Sequence, residues 1–150
     1  MKMKRLMCSV LLAVLLIGIL PISAVADEIE TIHLSDGSYI VVRLYEDGTR
    51  AAGTVSGGKE YTHYDSGGSS NWKVVLSGSF AYTGSSSNCT ASNINVTIYD
   101  SSWYTVSKSA SKSGNTATGS AIMGDTASGV TVKRVPVSLT LQCDPNGNLS

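Results

Sequence analysis

Ser66 and the two histidines, His33 and His63, could take part in hydrolytic chemistry, and Ser66 and His63 lie close together in the sequence. Ser66 belongs to the tight-turn sequence Asp65-Ser66-Gly67-Gly68, a loop that could present a nucleophilic serine, and His63 precedes it by three residues. A catalytic serine needs a base that a third group orients, and the spacing provides no such triad. Turn formation explains Ser-Gly-Gly without catalysis. We therefore expect no catalytic residue, and a small hydrolase, in which Ser66 or a carboxylate pair meets His33 or His63, is the least favoured alternative.

The sequence offers little that could hold a metal ion. Its only histidines, His33 and His63, do not stand at zinc-ligand spacing with the cysteines. The segment Asp144-Pro145-Asn146-Gly147-Asn148 resembles part of a calcium loop, but it lacks the correctly placed Gly and a downstream Glu. A C-terminal turn is the better interpretation. We expect no metal and no cofactor.

Aromatic residues are the strongest candidates for a binding surface. Trp103 and Tyr104 are adjacent in a stretch rich in Ser, Thr and Lys, so in a strand one ring faces out when the other faces in. Exposed rings can stack on sugars or pack against protein partners. Cross-strand packing in the core is nevertheless the favoured interpretation of these rings, because the chain has one Phe. The candidate surface comprises Trp103, Tyr104, Tyr61, Tyr64 and Tyr99.

The first 26 residues have the pattern of a secretory signal peptide. A basic start, M-K-M-K-R, precedes an apolar run from Leu6 to Leu20, and Ala24-Val25-Ala26 forms a small-residue cleavage site. The run is shorter than the roughly 20 residues of a membrane-spanning helix. We expect cleavage after Ala26, no membrane span afterwards, and one secreted domain over residues 27–150. That domain keeps eight basic and eleven acidic residues, a net charge of −3, which argues against nucleic acid as a partner.

Two cysteines, Cys89 and Cys143, remain after removal of Cys8 with the signal peptide. Disulfides form and persist in the oxidising surroundings of exported proteins. The sequence therefore predicts one disulfide between Cys89 and Cys143, with two thiols in an anaerobic setting as the alternative.

Alternation of apolar and polar residues predicts strands throughout residues 27–150. In residues 71–83 the apolar side chains of Trp72, Val74, Leu76 and Phe80 share one parity. Asp36-Gly37 marks a hairpin between two β-rich runs, and residues 49–58 have no periodicity and are predicted to form a loop. No segment has a helical period. The pattern predicts an all-β domain, a single immunoglobulin-like β-sandwich of about seven or eight antiparallel strands.

The last predicted strand, residues 129–143, has the most regular pattern. Apolar residues alternate from Val135 to Cys143, whereas Val130 and Val132 have the opposite parity. A bulge around Lys133–Arg134 would restore the register. Pro136 lacks a backbone donor, which favours an edge strand or a bulge.

Four segments resemble a family of small secreted proteins from Gram-positive, largely gut-associated bacteria, a domain of unknown function. The segments are I-E-T-I-H-L-S-D-G-S-Y-I-V-V, W-K-V-V-L-S-G-S-F-A-Y-T-G, S-K-S-A-S-K-S-G-N-T-A-T-G and V-S-L-T-L-Q-C-D-P-N-G-N-L-S, which span most of residues 29–150. The resemblance implies a secreted domain with a cysteine pair. It implies no enzymatic activity and assigns no catalytic residue.

Together these features favour a non-enzymatic, secreted bacterial domain that binds a partner at a surface. A polar β surface rich in Ser, Thr and Gly suits contact with a glycan or a cell-surface protein. The alternative from another class is a bacteriocin-like secreted effector.

Overall fold

The structure is a computed structural model, which describes residues 27–48 and 51–150. The predicted signal peptide, residues 1–26, lies outside the described residues. The described chain forms β-strands and turns, and it contains no helix that could cross a membrane.

Two antiparallel sheets make up the domain, as the predicted β-sandwich requires. The first sheet holds five strands in chain order, β1 to β5, and the second holds three, β6 to β8. Every strand therefore pairs with its neighbour in sequence, unlike the crossed connections of immunoglobulin domains. The strands are β1 (Asp27–His33), β2 (Tyr39–Glu46), β3 (Thr54–Tyr64), β4 (Ser70–Tyr82), β5 (Ser87–Ile98), β6 (Trp103–Ser113), β7 (Thr116–Ala127) and β8 (Val130–Gln142).

The core lies between the sheets and follows the predicted alternation. On β4 the four apolar residues of one parity are buried, and on β8 so are those from Val135 to Leu141, together with Cys143 after it. Small residues on β7 face them: Ala117 and Ala121 are buried, and a Cβ on Gly119 would lie 3.0 Å from Leu76. Because these three positions of β7 carry so little side-chain volume, the large residues of β4 and β8 can pack against each other around them.

The loop predicted for residues 49–58 is wrong in its second half, where β3 begins at Thr54. Gly57 and Gly58 interrupt the alternation of apolar and polar residues from which a strand would be predicted. A Cβ on Gly57 would lie 2.2 Å from the carbonyl oxygen of Tyr45, and one on Gly58 would overlap the Tyr45 ring. Glycine is therefore required where Tyr45 crosses the sheet, although glycine usually weakens a strand and signals a turn.

The last strand has the predicted bulge and the predicted edge position. The register with β7 skips Val132, one residue before Lys133. Val130 and Val132, on the far side of the bulge, are 65% and 61% exposed. β8 pairs with β7 alone and is an edge strand of the second sheet, which explains why Pro136 is tolerated in it.

Cys89 and Cys143 are both buried, but no disulfide joins them in the described part of the chain. The Sγ atom of Cys89 lies 3.3 Å from the carbonyl oxygen of Ala91, and that of Cys143 lies 3.4 Å from the carbonyl oxygen of Asp144. Each thiol thus donates to a nearby carbonyl instead of forming the predicted bridge.

Candidate functional site

A polar cleft of about 260 Å³ opens at one end of the sandwich, where three turns meet. The turns join β1 to β2, β3 to β4 and β5 to β6, and each contains an aspartate. Oδ1 of Asp36 accepts from the N–H of Ser38 (3.1 Å), Oδ1 of Asp65 from that of Gly67 (2.9 Å), and Oδ1 of Asp100 from that of Ser102 (2.9 Å). Aspartate favours such turns because its carboxylate binds the backbone two residues on. The same chemistry therefore places three carboxylates at the cleft.

A chain of hydrogen bonds runs through buried side chains on the wall of the cleft. His63 is 1% exposed. Its Nδ1 lies 3.1 Å from Nδ2 of Asn71, and its Nε2 lies 3.2 Å from Oγ of Ser38. Oγ of Ser38 lies 2.5 Å from Oδ1 of Asp36, and Nζ of Lys133 donates to Oδ2 of the same carboxylate.

The hydrogen bonds of this network all run in one direction, from Asn71 through His63 and Ser38 to Asp36. The amide nitrogen of Asn71 can only donate, so Nδ1 of His63 accepts and Nε2 carries the proton. Nε2–H then donates to Ser38, whose hydroxyl donates to Asp36. A nucleophilic serine needs the opposite arrangement, in which the histidine accepts the hydroxyl proton. In this arrangement His63 does not serve Ser38 as a base.

Two indole rings hold His63 in place and keep it neutral. Its ring stacks on Trp72 at 4.9 Å between centroids, and it contacts Trp103 at 5.0 Å with a tilt of 52°. Burial first and the nearby Lys133 ammonium second lower the pKa of His63 to about 4, although the charges of the cleft aspartates oppose the shift. The imidazole therefore carries no charge at neutral pH.

Lys133 is the one cation of the cleft among the described residues. Its Nζ bonds Asp36, lies 3.4 Å from Oγ of Ser38 and stands 5.8 Å from the centroid of the Trp103 ring. Lys133 and Ser38 hold the pKa of Asp36 well below its usual range. The ammonium thus neutralises Asp36 and no other carboxylate of the cleft within ion-pair distance.

Asp125 on β7 adds a fourth carboxylate to the lining. Its side chain is half-buried, and among the described residues its carboxylate accepts no hydrogen bond and joins no ion pair. The carboxylates of the other three cleft aspartates accept hydrogen bonds from the backbone of their own turns. Asp125 is therefore the carboxylate that remains available to a ligand.

The sequence-predicted chemical residues are brought together only in part. Ser66 and His63 line the same cleft, together with Asp65. His33 is exposed elsewhere, with its ring 6.0 Å from that of Tyr39. In the described chain no three His, Cys, Asp or Glu residues form a metal-holding group.

The C-terminal turn is confirmed. The carboxylate of Asp144 accepts from the backbone of Asn146 (2.8 Å) and of Asn148 (2.9 Å).

The five aromatic residues of the candidate surface do not form one surface. Trp103 is 6% exposed and belongs to the core, and Tyr61 is half-buried against it. Tyr104 is half-buried and bonds Thr131 through its hydroxyl (2.6 Å). Tyr64 stacks on Tyr39 at 5.0 Å, and Tyr99 alone is mostly exposed. Trp103 still contributes to the site, as a wall of the cleft.

Sequence reasoning missed most of the cleft, namely Asp36, Ser38, Asn71, Asp100, Ser102, Asp125 and Lys133. A usable signal was present in the three turns, which contain Asp36-Gly37-Ser38, Asp65-Ser66-Gly67 and Asp100-Ser101-Ser102. They occur at every second connection between strands. Because consecutive strands run in opposite directions, alternate connections lie at the same end of the sandwich. Asp125 and Lys133 carry no such signal.

A comparison with protein-family models, curated proteins and solved structures found no match to this chain. The resemblance to a family of small secreted proteins therefore stays a prediction, and the function is inferred from the cleft.

Proposed function

We propose that the domain is a secreted, non-enzymatic binding module that takes one basic side chain of a cell-surface protein into the cleft around His63. The observation that carries this proposal is the charge of the cleft. Four aspartates face one lysine, His63 is neutral, and the half-buried Asp125 has no cation of its own. A partly desolvated carboxylate without a partner favours a ligand that brings a positive charge.

The size of the cleft supports a single group as the ligand. Pockets for drug-sized molecules measure roughly 300–1,000 Å³, and this cleft, at about 260 Å³, lies below that range. A lysine or arginine side chain fits the size and the charge.

Burial of Trp103 weakens the case for a glycan. Sugar recognition through aromatic stacking needs a ring face that is open to solvent, and this ring is packed against His63 and Trp72. A protein partner does not need that face, so the proposal favours protein over glycan.

The test is a binding titration of residues 27–150 against short peptides that differ in one central residue. We expect arginine and lysine peptides to bind and glutamine and glutamate peptides not to bind. Asp125→Asn should weaken the binding by about tenfold, because it removes the unpaired charge and keeps the shape. Asp47→Asn, an exposed carboxylate outside the cleft, is the matched control and should bind as the parent does.

Equal binding of all four peptides, or an unchanged affinity in Asp125→Asn, would contradict the proposal. A cell-wall polymer that binds more tightly than the basic peptides would move the site to glycans. Killing of neighbouring bacteria by the purified protein would favour the effector alternative.

Export predicts a second measurable property, which is the oxidation state of the cysteines. The structure has no bridge between Cys89 and Cys143, and we propose that the oxidising surroundings outside the cell form one. The N–H of Cys89 donates to Gly114 (2.7 Å) and that of Cys143 to Asn115 (3.1 Å), so both cysteines flank one turn. Burial raises the pKa of the Cys89 thiol, which slows exchange with outside thiols once a bond has formed.

We expect protein collected from an aerated culture medium to begin at Asp27 and to resist alkylation until it is unfolded and reduced. Mass spectrometry of the intact chain, with and without reductant, measures both features. Rapid alkylation of both cysteines after unfolding without reductant would show that no bridge forms outside the cell.

A further inference from the structure

An apolar groove of about 580 Å³ lies beside β8, where the larger sheet extends past the smaller one. β8 packs over β3 and β4, and β7 over β4 and β5, whereas β1 and β2 have no strand of the second sheet opposite them. The inward side chains at this step are covered to different extents: Ile40 is 5% exposed, whereas Ile32, Leu34 and Tyr61 are only half-buried. The groove is lined by Ile32, Leu34, Ile40 and Tyr61 on one side and by Val135 and Val137 of β8 on the other.

The backbone of β8 above this groove presents unpaired groups along one edge. Gln142 exchanges two hydrogen bonds with Ser150, and the carbonyl of Thr140 accepts from Nζ of Lys59 (3.2 Å), both on the side away from β7. Since backbone groups alternate sides along a strand, the even-numbered residues of β8 face this open edge. Gln142 and the carbonyl of Thr140 thus have partners, whereas the edge-facing backbone groups of Ser138, Pro136 and Arg134, which lie over the groove, have none among the described residues.

Pro136 limits what the edge can do. It offers a carbonyl acceptor but no N–H, so a strand added here would lose one donor in the middle of the open stretch. Natural edge strands use proline in this way to restrict uncontrolled pairing. The open edge therefore suits a specific partner that gains from the groove as well as from the backbone.

We infer that the groove and the β8 edge bind an extended peptide segment of a partner protein as a fourth strand of the second sheet. Alternate apolar side chains of the segment fill the groove, and its backbone pairs with Ser138 and Arg134. The groove and the cleft meet at Asp36 and Lys133, which line both. A basic residue at one end of the segment then reaches the cleft. Only this last contact rests on the proposed function; the strand pairing does not.

The probe is a synthetic peptide that alternates valine and threonine and ends in arginine, with a second version that ends in glutamine. In a titration with residues 27–150 we expect Pro136→Ala to bind both versions about fivefold more tightly, because it restores one backbone donor. Pro145→Ala, the same change in the C-terminal turn, is the control and should leave the affinity unchanged. Ser138→Pro should weaken both versions.

Amide hydrogen exchange locates the peptide independently of any variant. Binding should slow exchange at Ser138 and Arg134, while Leu139, which belongs to the β7–β8 ladder, should change little. Asp125→Asn should affect only the arginine version, so failure of the cleft and failure of the groove give different results.

Unchanged affinity in Pro136→Ala, together with unchanged exchange at Ser138, would overturn the inference. Concentration-dependent dimerisation that protects the same amides, with no effect of the probe, would also overturn it and assign the edge to a second copy of the chain.

Discussion

Trp103→Ala is expected to lower the free energy of unfolding by about 4 kcal/mol. The ring is 6% exposed and packs against His63 and Trp72, with Nζ of Lys133 over its face. Truncation would leave a cavity beneath the cleft, and the surrounding rings are too rigid to fill it. Urea unfolding followed by circular dichroism measures the change.

Tyr99→Ala is the matched control, because that ring is 51% exposed and a few residues away in the same turn region. Its effect should stay within about 0.5 kcal/mol. A Trp103→Ala protein as stable as its parent would mean that the ring is exposed, as the candidate binding surface required.

Lowering the pH from 6.5 to 4 is expected to reduce the free energy of unfolding by about 3 kcal/mol through His63 alone. The folded pKa of His63 is about 4, below its ordinary value of 6.5. In this window the unfolded chain binds a proton at His63 and the folded chain does not, so acid favours unfolding. Above pH 6.5 the contribution is constant, and below pH 4 no more is lost through this group.

The pH series needs one variant and one control. His63→Gln removes the titrating group, so its stability should fall much less between pH 6.5 and 4 than that of the parent. His33→Gln should keep the parent's slope, because that side chain is exposed. Asp36 and Asp144 also have lowered pKa values, but they titrate below their ordinary 3.8 and so outside this window. Parallel slopes for His63→Gln and the parent would contradict the assignment.

The strands were predictable where one side of a strand faces the core and the other faces solvent. β4 and β8 have that alternation, and even the bulge and the edge position of β8 could be inferred from Val132 and Pro136. The prediction failed at Gly57 and Gly58, because a close approach of Tyr45 requires the residue type that normally marks a turn. Local propensity does not report such a long-range contact.

The cleft could not be predicted in the same way, because its parts come from different strands and turns. His63 was noticed for its proximity to Ser66, but its hydrogen-bond partners are Asn71, on the facing strand of the same hairpin, and Ser38, in the preceding hairpin. Lys133 reaches Asp36 across 97 positions of the chain. Pairings at that distance depend on how the two sheets face each other, and neither composition nor periodicity specifies that arrangement.

The consecutive order of strands has a consequence for how the domain folds. Residues 27–98 form one sheet and residues 103–142 the other, and the chain passes between them at the turn of residues 99–102. The strand pairings therefore join strands that are adjacent in sequence. This keeps the contact order low for an all-β protein and favours rapid folding. Each half is a continuous meander, so cleavage of the chain in this turn would leave all the strands of each sheet on one fragment. The two fragments could then associate through the core that the sheets share.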